Sequence, residues 1–420
     1  MSFEPKKSYG LVNDVINRYD IQDLCRWLRG DKPDAEPQND FEIEQWTTPW
    51  LTQGPLVKQF EEAFAKKVGA AHAIFVNSGS SANTLAWAFP IAVSRDEMAK
   101  NPRVAVPAAS WATTVGQTIW MGYAPALCEA DEDTWGMDPA ALRRICENSD
   151  KGPPSMVMVV HQLGVPAKTE EIGKLKEEFD FILIEDACGA FGSSPVGQVG
   201  ELWTYSTFFG HQLSTIEGGF ICTNSDEAAN ILRMLRAHGW AADLDRAMQE
   251  KLAAAEKIEP FREKFTFYLP PLGNFRNTDL HAHLGLSGLK RADEVAAARY
   301  RNWETYRERF ADSKDFKVQW QKGAPADVFP AAIGYGVLAS SKAHRAKVAE
   351  ALKARGIDTR PVGGGNMGRQ PFWVNAMGEL KTPRPFADRI HNHGFQLPCH
   401  PGLTAEDVGY IADTVLSVKP

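Results

Sequence analysis

Between residues 56 and 223 short apolar runs alternate with longer stretches of helical periodicity, and this alternation restricts the fold more than any other feature of the chain. The runs are Ala73–Asn77, Val104–Pro107, Met156–Val160, Phe181–Glu185 and Gly219–Thr223. Between them, Leu56–Val68 carries Val57, Phe60, Phe64 and Val68 at helical spacing, and Ser81–Ala92, Pro139–Glu147 and Lys168–Phe179 also read as helices. Strand–helix alternation over this length implies a mostly parallel sheet covered by helices on both faces. Ligands of such sheets bind beyond the carboxyl ends of the strands, so chemistry is expected in the residues that follow each run.

After residue 275 the pattern changes. Helices are expected over Thr278–Lys290 and Asp293–Phe310, followed by a weaker αβ pattern to the C-terminus. This divides the chain into an N-terminal segment 1–40 with a helical stretch around Val12–Leu28, a large domain 41–275 and a small domain 276–420. With 44 % hydrophobic and 24 % charged residues, 420 residues are enough for two such cores. The net charge of −7 is spread along the chain without a basic run, which argues against nucleic acid as a partner. No apolar run nears the roughly 20 residues of a membrane span. The opening MSFEPKKSYG lacks the apolar core of a secretory signal, so a cytoplasmic location is expected. The six cysteines, Cys25, Cys128, Cys146, Cys188, Cys222 and Cys399, are scattered with no CxxC pair, and reduced thiols are expected.

Three strand ends and one further segment carry candidate chemistry. The first continues as Asn77-Ser78-Gly79-Ser80-Ser81-Ala82-Asn83 into a helix, where N–H groups, the helix dipole and the hydroxyls of Ser80 and Ser81 could converge on a phosphate. The same pattern serves as an ordinary N-cap. The second leads to Trp111, able to stack on a flat ring or to fill a core. The run Phe181–Ile184 ends in Glu185-Asp186. A carboxylate buried there needs compensation, which a pyridinium nitrogen, a structural salt bridge or a helix cap would supply. The segment Tyr205–Gly219 joins Ser206, an aromatic pair, His211 and a double-glycine turn.

Taken in order, LTQGPLVKQFEEAFA, VNSGSSAN, VPAASWATT, IEDACGAFGS, STFFGHQLSTIEGGFICT, GNFRNTDLHAHLG and TRPVGGGNMGRQP resemble the DegT/StrS family of nucleotide-sugar aminotransferases from about Trp50 to Tyr410. The resemblance implies the type I fold of pyridoxal-phosphate-dependent transferases, a central sheet between helices with a smaller C-terminal α/β domain. It also implies roles. Ser80, Ser81 and Ser206 would bind the cofactor phosphate, Trp111 would stack on the pyridine ring and Asp186 would pair with its nitrogen. Asn274 would reach the phosphate of the neighbouring subunit's cofactor, which implies a homodimer with shared sites. Arg236, His238, Arg360 and Asn366 are weaker candidates for the substrate side. The family's Schiff-base lysine belongs where this chain has His211, and no lysine lies between Lys176 and Lys251. In that respect the chain resembles the family's histidine-for-lysine branch, which contains the GDP-4-keto-6-deoxy-mannose 3-dehydratases. One departure is Gly189, where the family usually has Gln or Glu near the ring oxygen; Gln162 or water would take over that contact.

Imidazole cannot form the Schiff base but can move protons near neutrality. The resemblance therefore implies non-covalent pyridoxal or pyridoxamine phosphate, glutamate as amino donor, and removal of the 3-hydroxyl of a 4-keto-6-deoxy nucleotide sugar with His211 as acid/base. The other readings are an ordinary sugar aminotransferase, disfavoured by the missing lysine; an iron–sulfur-assisted CDP-hexulose 3-dehydrase, disfavoured by the scattered cysteines; and a non-catalytic nucleotide-sugar-binding protein. The stretch Ala241–Lys264 looks longer than the family norm.

Overall fold

The computed structural model describes residues 9–11, 15–28, 51–147 and 152–420. Most of the segment 1–40, including residues 12–14 of the expected early helix, lies outside them; the helix itself runs Arg18–Leu28. Seven strands form the main sheet: β1 His72–Val76, β2 Arg103–Pro107, β3 Ala124–Cys128, β4 Met156–Val160, β5 Ile182–Asp186, β6 Leu202–Ser206 and β7 Gly219–Thr223, in the order β1-β7-β6-β5-β4-β2-β3. Only β7 runs against the others, pairing antiparallel with β1 and β6. The five expected runs are all strands, each within one residue at either end. Sequence reading missed β3 and β6. Ala124-Pro125-Ala126 has little intrinsic β preference, and β3 is made by its pairing along β2.

Strand pleating explains the two covered faces. In β1, Ile74 and Val76 enter one core with Leu85 and Trp87, while Phe75 turns to the other with Phe60, Phe64 and Phe220. In β4, Met156 and Met158 face the first core and Val157 and Val159 a third cluster under the helices Pro139–Glu147 and Thr169–Phe179. The helix Asp279–Leu289 lies on the helix Pro55–Val68, close enough that a Cβ on Gly285 would meet the Phe60 ring at 2.2 Å.

The C-terminal unit has its own core around an antiparallel sheet, β8 Phe316–Val318, β9 Gly334–Ala339 and β10 Gly394–Pro398, in the order β10-β9-β8. The helices Ala292–Phe310, Lys342–Lys353 and Ala405–Leu416 close it. The stretch after Ala241 forms the helix Arg246–Ala255 and a 3₁₀ turn Pro260–Phe265, with Phe261, Phe265 and Phe267 exposed. No described helix is long and apolar enough to cross a membrane.

Candidate active site

Because β1, β2, β4, β5 and β6 run the same way, Val76, Pro107, Val160, Asp186 and Ser206 end at one edge of the sheet. That shared direction gathers the candidates. The helix Gly79–Lys100 begins on the first of these ends. Ser81 Oγ donates to Asn77 Oδ1 at 2.5 Å, and its N–H donates to Ser78 Oγ at 3.0 Å. Ser80 Oγ sits 3.1 Å from Thr113 Oγ1, tying this turn to the one that carries Trp111. Gly79 is required: a Cβ there would lie 2.7 Å from the Ser206 Cβ and 2.8 Å from Cys188 Sγ. Ser206 thus abuts the turn, with its Oγ accepting from Phe208 N at 3.2 Å. Trp111 precedes the helix Ala112–Trp120 and is 59 % exposed, so the core alternative for this side chain does not hold.

Asp186 is buried, and every partner is neutral. Oδ2 accepts from Asn83 Nδ2 at 2.8 Å and Thr114 Oγ1 at 2.7 Å; Oδ1 accepts from Cys188 N at 3.1 Å. Asn83 is held in turn by Thr204 Oγ1 at 2.6 Å. A buried carboxylate with hydrogen bonds but no cation fits a site that receives a cationic ring. Asn83 and Thr114 escaped sequence reading. Their only signal was a polar side chain on the buried face of a helix.

His211 completes the cluster. Its Nδ1 is 2.8 Å from the Cys188 carbonyl oxygen. A carbonyl only accepts, so Nδ1 carries the hydrogen and Nε2 is left with its lone pair. Desolvation pushes the imidazole pKa down to about 4. The Cys188 hydrogen bond and Asp186 oppose this, while Arg299 and Arg360 add to it. His211 is therefore a neutral base around pH 7.

The glycine-rich segment after Arg360 folds onto the Trp111 turn: Gly364 N donates to Ser110 O at 2.9 Å and Met367 N to Ala108 O at 2.8 Å. Gln162 is buried beside it, with Nε2 3.3 Å from where a Gly363 Cβ would stand. At Gly189 a Cβ would meet Ile333 Cδ1 at 3.2 Å, so the wall of the C-terminal unit occupies the space a longer side chain would use. Arg360 is coupled electrostatically to His211 and forms no ion pair among the described residues. His238 is half-buried with φ +60°, against Trp240. Asn274 is exposed, and its Oδ1 accepts from Arg276. Two of the substrate candidates are turned inward instead. Arg236 is buried between Glu61 and Asp243, and Asn366 donates to Asp388 at 2.6 Å while accepting from Gly368 N at 2.9 Å. Internal partners hold both Nη groups of Arg236 and the side-chain amide of Asn366. Among the described residues no group of three or more His, Cys, Asp or Glu side chains could hold a metal ion.

The chain matches the profile of the DegT/DnrJ/EryC1/StrS aminotransferase family over residues 35–416. The GDP-4-keto-6-deoxy-D-mannose 3-dehydratase of Escherichia coli O55:H7 is 31 % identical over 320 residues, 75 % of this chain and 80 % of that one. The GDP-perosamine synthase of Caulobacter vibrioides is 28 % identical over 381 residues, 88 % of this chain and 92 % of that one. Among solved structures, a histidine-to-asparagine variant of GDP-4-keto-6-deoxymannose-3-dehydratase with bound GDP-perosamine superposes with a TM-score of 0.83 at 25 % identity, covering 97 % of this chain and all of that one. The architecture is the type I fold of pyridoxal-phosphate enzymes, as the sequence led one to expect.

Proposed function

From the premise that the chain belongs to the DegT/DnrJ/EryC1/StrS aminotransferase family, we propose that it is a nucleotide-sugar 3-dehydratase using pyridoxal and pyridoxamine phosphate non-covalently. The observation that carries this reading is His211, a half-buried neutral imidazole where the family's lysine belongs, in a segment with no lysine from residue 177 to residue 250. Relatives named for this activity support it, as does the donor set.

Ser80, Ser81, Ser206 and the N–H groups of the helix Gly79–Lys100 would hold the phosphate. Trp111 would cover the ring, and Asp186, whose partners are all neutral, would keep its nitrogen protonated. The bound cofactor would supply an amine to condense with a ketone and a sink for the electrons released. Nε2 of His211 then does the chain's own chemistry. As a free base it takes a proton from carbon. Once protonated in an environment that disfavours its charge, it readily passes the proton to the departing 3-hydroxyl, which leaves as water. The product is a 3-deoxy-4-keto sugar, with ammonia lost on hydrolysis. Arg360, which has no carboxylate partner among the described residues, would take an anionic group of glutamate or of the sugar nucleotide, and His238 would be a further residue on the substrate side. Gln162 would face the ring oxygen in place of the residue that Gly189 lacks. The active assembly would be a homodimer with Asn274 serving the neighbouring site.

The test is to incubate the protein with pyridoxal phosphate, glutamate and a 4-keto-6-deoxy nucleotide sugar and to weigh the products by mass spectrometry. Loss of the oxygen at carbon 3 is expected. Retention of an amino group would mean an aminotransferase, and no turnover with any such sugar would favour a binding protein.

A further inference from the structure

Behind His211 lies a cation that no carboxylate among the described residues neutralises. Arg299, on the helix Ala292–Phe310, has 0 % of its surface exposed. Its Nη1 donates to the carbonyl oxygens of Ala332 at 3.1 Å and Cys399 at 3.4 Å, and Nη2 donates to that of Gly210 at 3.1 Å. Its Nε–H finds no acceptor among the described residues. A guanidinium buried on carbonyl dipoles alone is costly, because dipoles replace only part of the lost hydration. A neutral apolar side chain would fill the same volume more cheaply, so core filling does not explain an arginine here.

What the guanidinium touches does explain it. Gly210, at φ +82°, is the residue before His211, and its peptide sets the direction in which the imidazole leaves the backbone. Ala332 and Cys399 flank β9 and β10 of the C-terminal unit. The neighbouring Gln212 makes a parallel tie, donating from Nε2 to Gly189 O and Ala331 O. The charge also acts through space. The groups facing the imidazole are Arg299 and Arg360, which oppose a second proton, and Asp186 and the Cys188 carbonyl, which favour one. Of the two cations Arg299 is the one sealed from water, where screening is weakest.

We propose that Arg299 is a positioning residue for His211: its buried guanidinium anchors the Gly210 peptide to the C-terminal unit and, by its unneutralised charge, holds the imidazole in the neutral Nδ1–H form with Nε2 free. This rests on His211 being the acid/base, yet it can be tested without turnover. Full-length protein without added cofactor, labelled with ¹³C and ¹⁵N histidine, is titrated by NMR, and the His211 signal is identified as the one lost in His211→Asn. In the native protein that signal should show the Nδ1–H tautomer and titrate well below an ordinary histidine. In Arg299→Gln its midpoint should rise by about one unit, a tenfold gain in proton affinity. Arg360→Gln should move it less, because water screens that charge. Arg299→Lys keeps the charge but not the fork, so the midpoint should stay low while the tautomer preference weakens. An unmoved midpoint in folded Arg299→Gln overturns the proposal. Should that variant not fold, Arg299→Lys decides: an ordinary histidine midpoint there overturns it equally. The expected low midpoint and its rise in Arg299→Gln, found together with no dehydration of any sugar, would sink the proposed reaction and leave this inference standing.

Discussion

An imidazole whose pKa falls from 6.5 to about 4 on folding ties stability to pH in a definite direction. Between those values the unfolded chain binds a proton at His211 and the native chain does not. Lowering the pH through this window therefore favours unfolding, and stability is recovered in full above the unfolded value. Replacing His211 with Asn should remove that slope. In urea titrations without cofactor, the variant should gain on the native protein by on the order of 2 kcal/mol between pH 7 and pH 4, part of the full effect being screened where the ring is wetted. The same substitution should lower kcat for dehydration by about 10²–10⁴, the usual contribution of a positioned acid–base group. Parallel pH–stability curves for the two proteins would show that His211 titrates normally. Several candidate residues were legible from the chain because each stands at or just beyond the end of an apolar run: Ser80 and Ser81, Trp111 and Asp186; Ser206 took its role only from the family resemblance, since its strand was not read. Their supports were not. Asn83 and Thr114 sit inside helices, and Arg299 meets Gly210 across 89 residues, so no local spacing reveals that they share a site.

Among the elements, the helix Pro55–Val68 owes its start to a residue far along the chain. Gly54 precedes it with no side chain to cap it, and Asp279 takes that part: Oδ1 accepts from Gly54 N and Val57 N at 2.9 Å, and Oδ2 from Leu56 N at 3.2 Å. A carboxylate at a helix N-terminus gains from the dipole as well as from the hydrogen bonds. Asp279→Ala should cost about 2 kcal/mol, the upper end for a lost cap, measurable by urea denaturation. Sequence periodicity placed both helices, Leu56–Val68 and Thr278–Lys290, but periodicity reports which face is buried and not which partner buries it. The turn at Gly79 makes a sharper functional statement. Its missing Cβ lets the turn lie against Ser206. Gly79→Ala should push the two apart, costing about 1–3 kcal/mol of stability and weakening pyridoxal phosphate binding, as followed by fluorescence titration. Unchanged affinity would place the phosphate elsewhere. The antiparallel direction of β7 was likewise beyond sequence reading, since Gly219–Thr223 is apolar on both faces and looks alike whichever way it runs.

At the scale of the whole molecule the question is which chain completes which site. Asn274 is exposed, yet the next residue accepts from Asn77 N, so the Asn274–Asn277 segment runs beside the Asn77–Ser81 turn of its own chain. Geometry within one chain therefore allows Asn274 to serve its own site or, across a two-fold axis, its neighbour's. Subunit complementation separates the two. His211→Asn and Asn274→Ala should each be impaired alone. Suppose Asn274 acts in trans. A dimer holding one chain of each kind then has one site carrying both defects and one carrying neither. Half of the dimers formed at random from equal amounts are of this mixed type, so co-expression should restore about a quarter of the native sites. If Asn274 acts within its own chain, every site in the mixed dimer keeps one defect and nothing is restored. Recovery of activity in the purified mixed dimer, distinguished by a different affinity tag on each chain, thus reads out the sharing of the site directly, and its absence would place Asn274 and His211 in the same subunit's site.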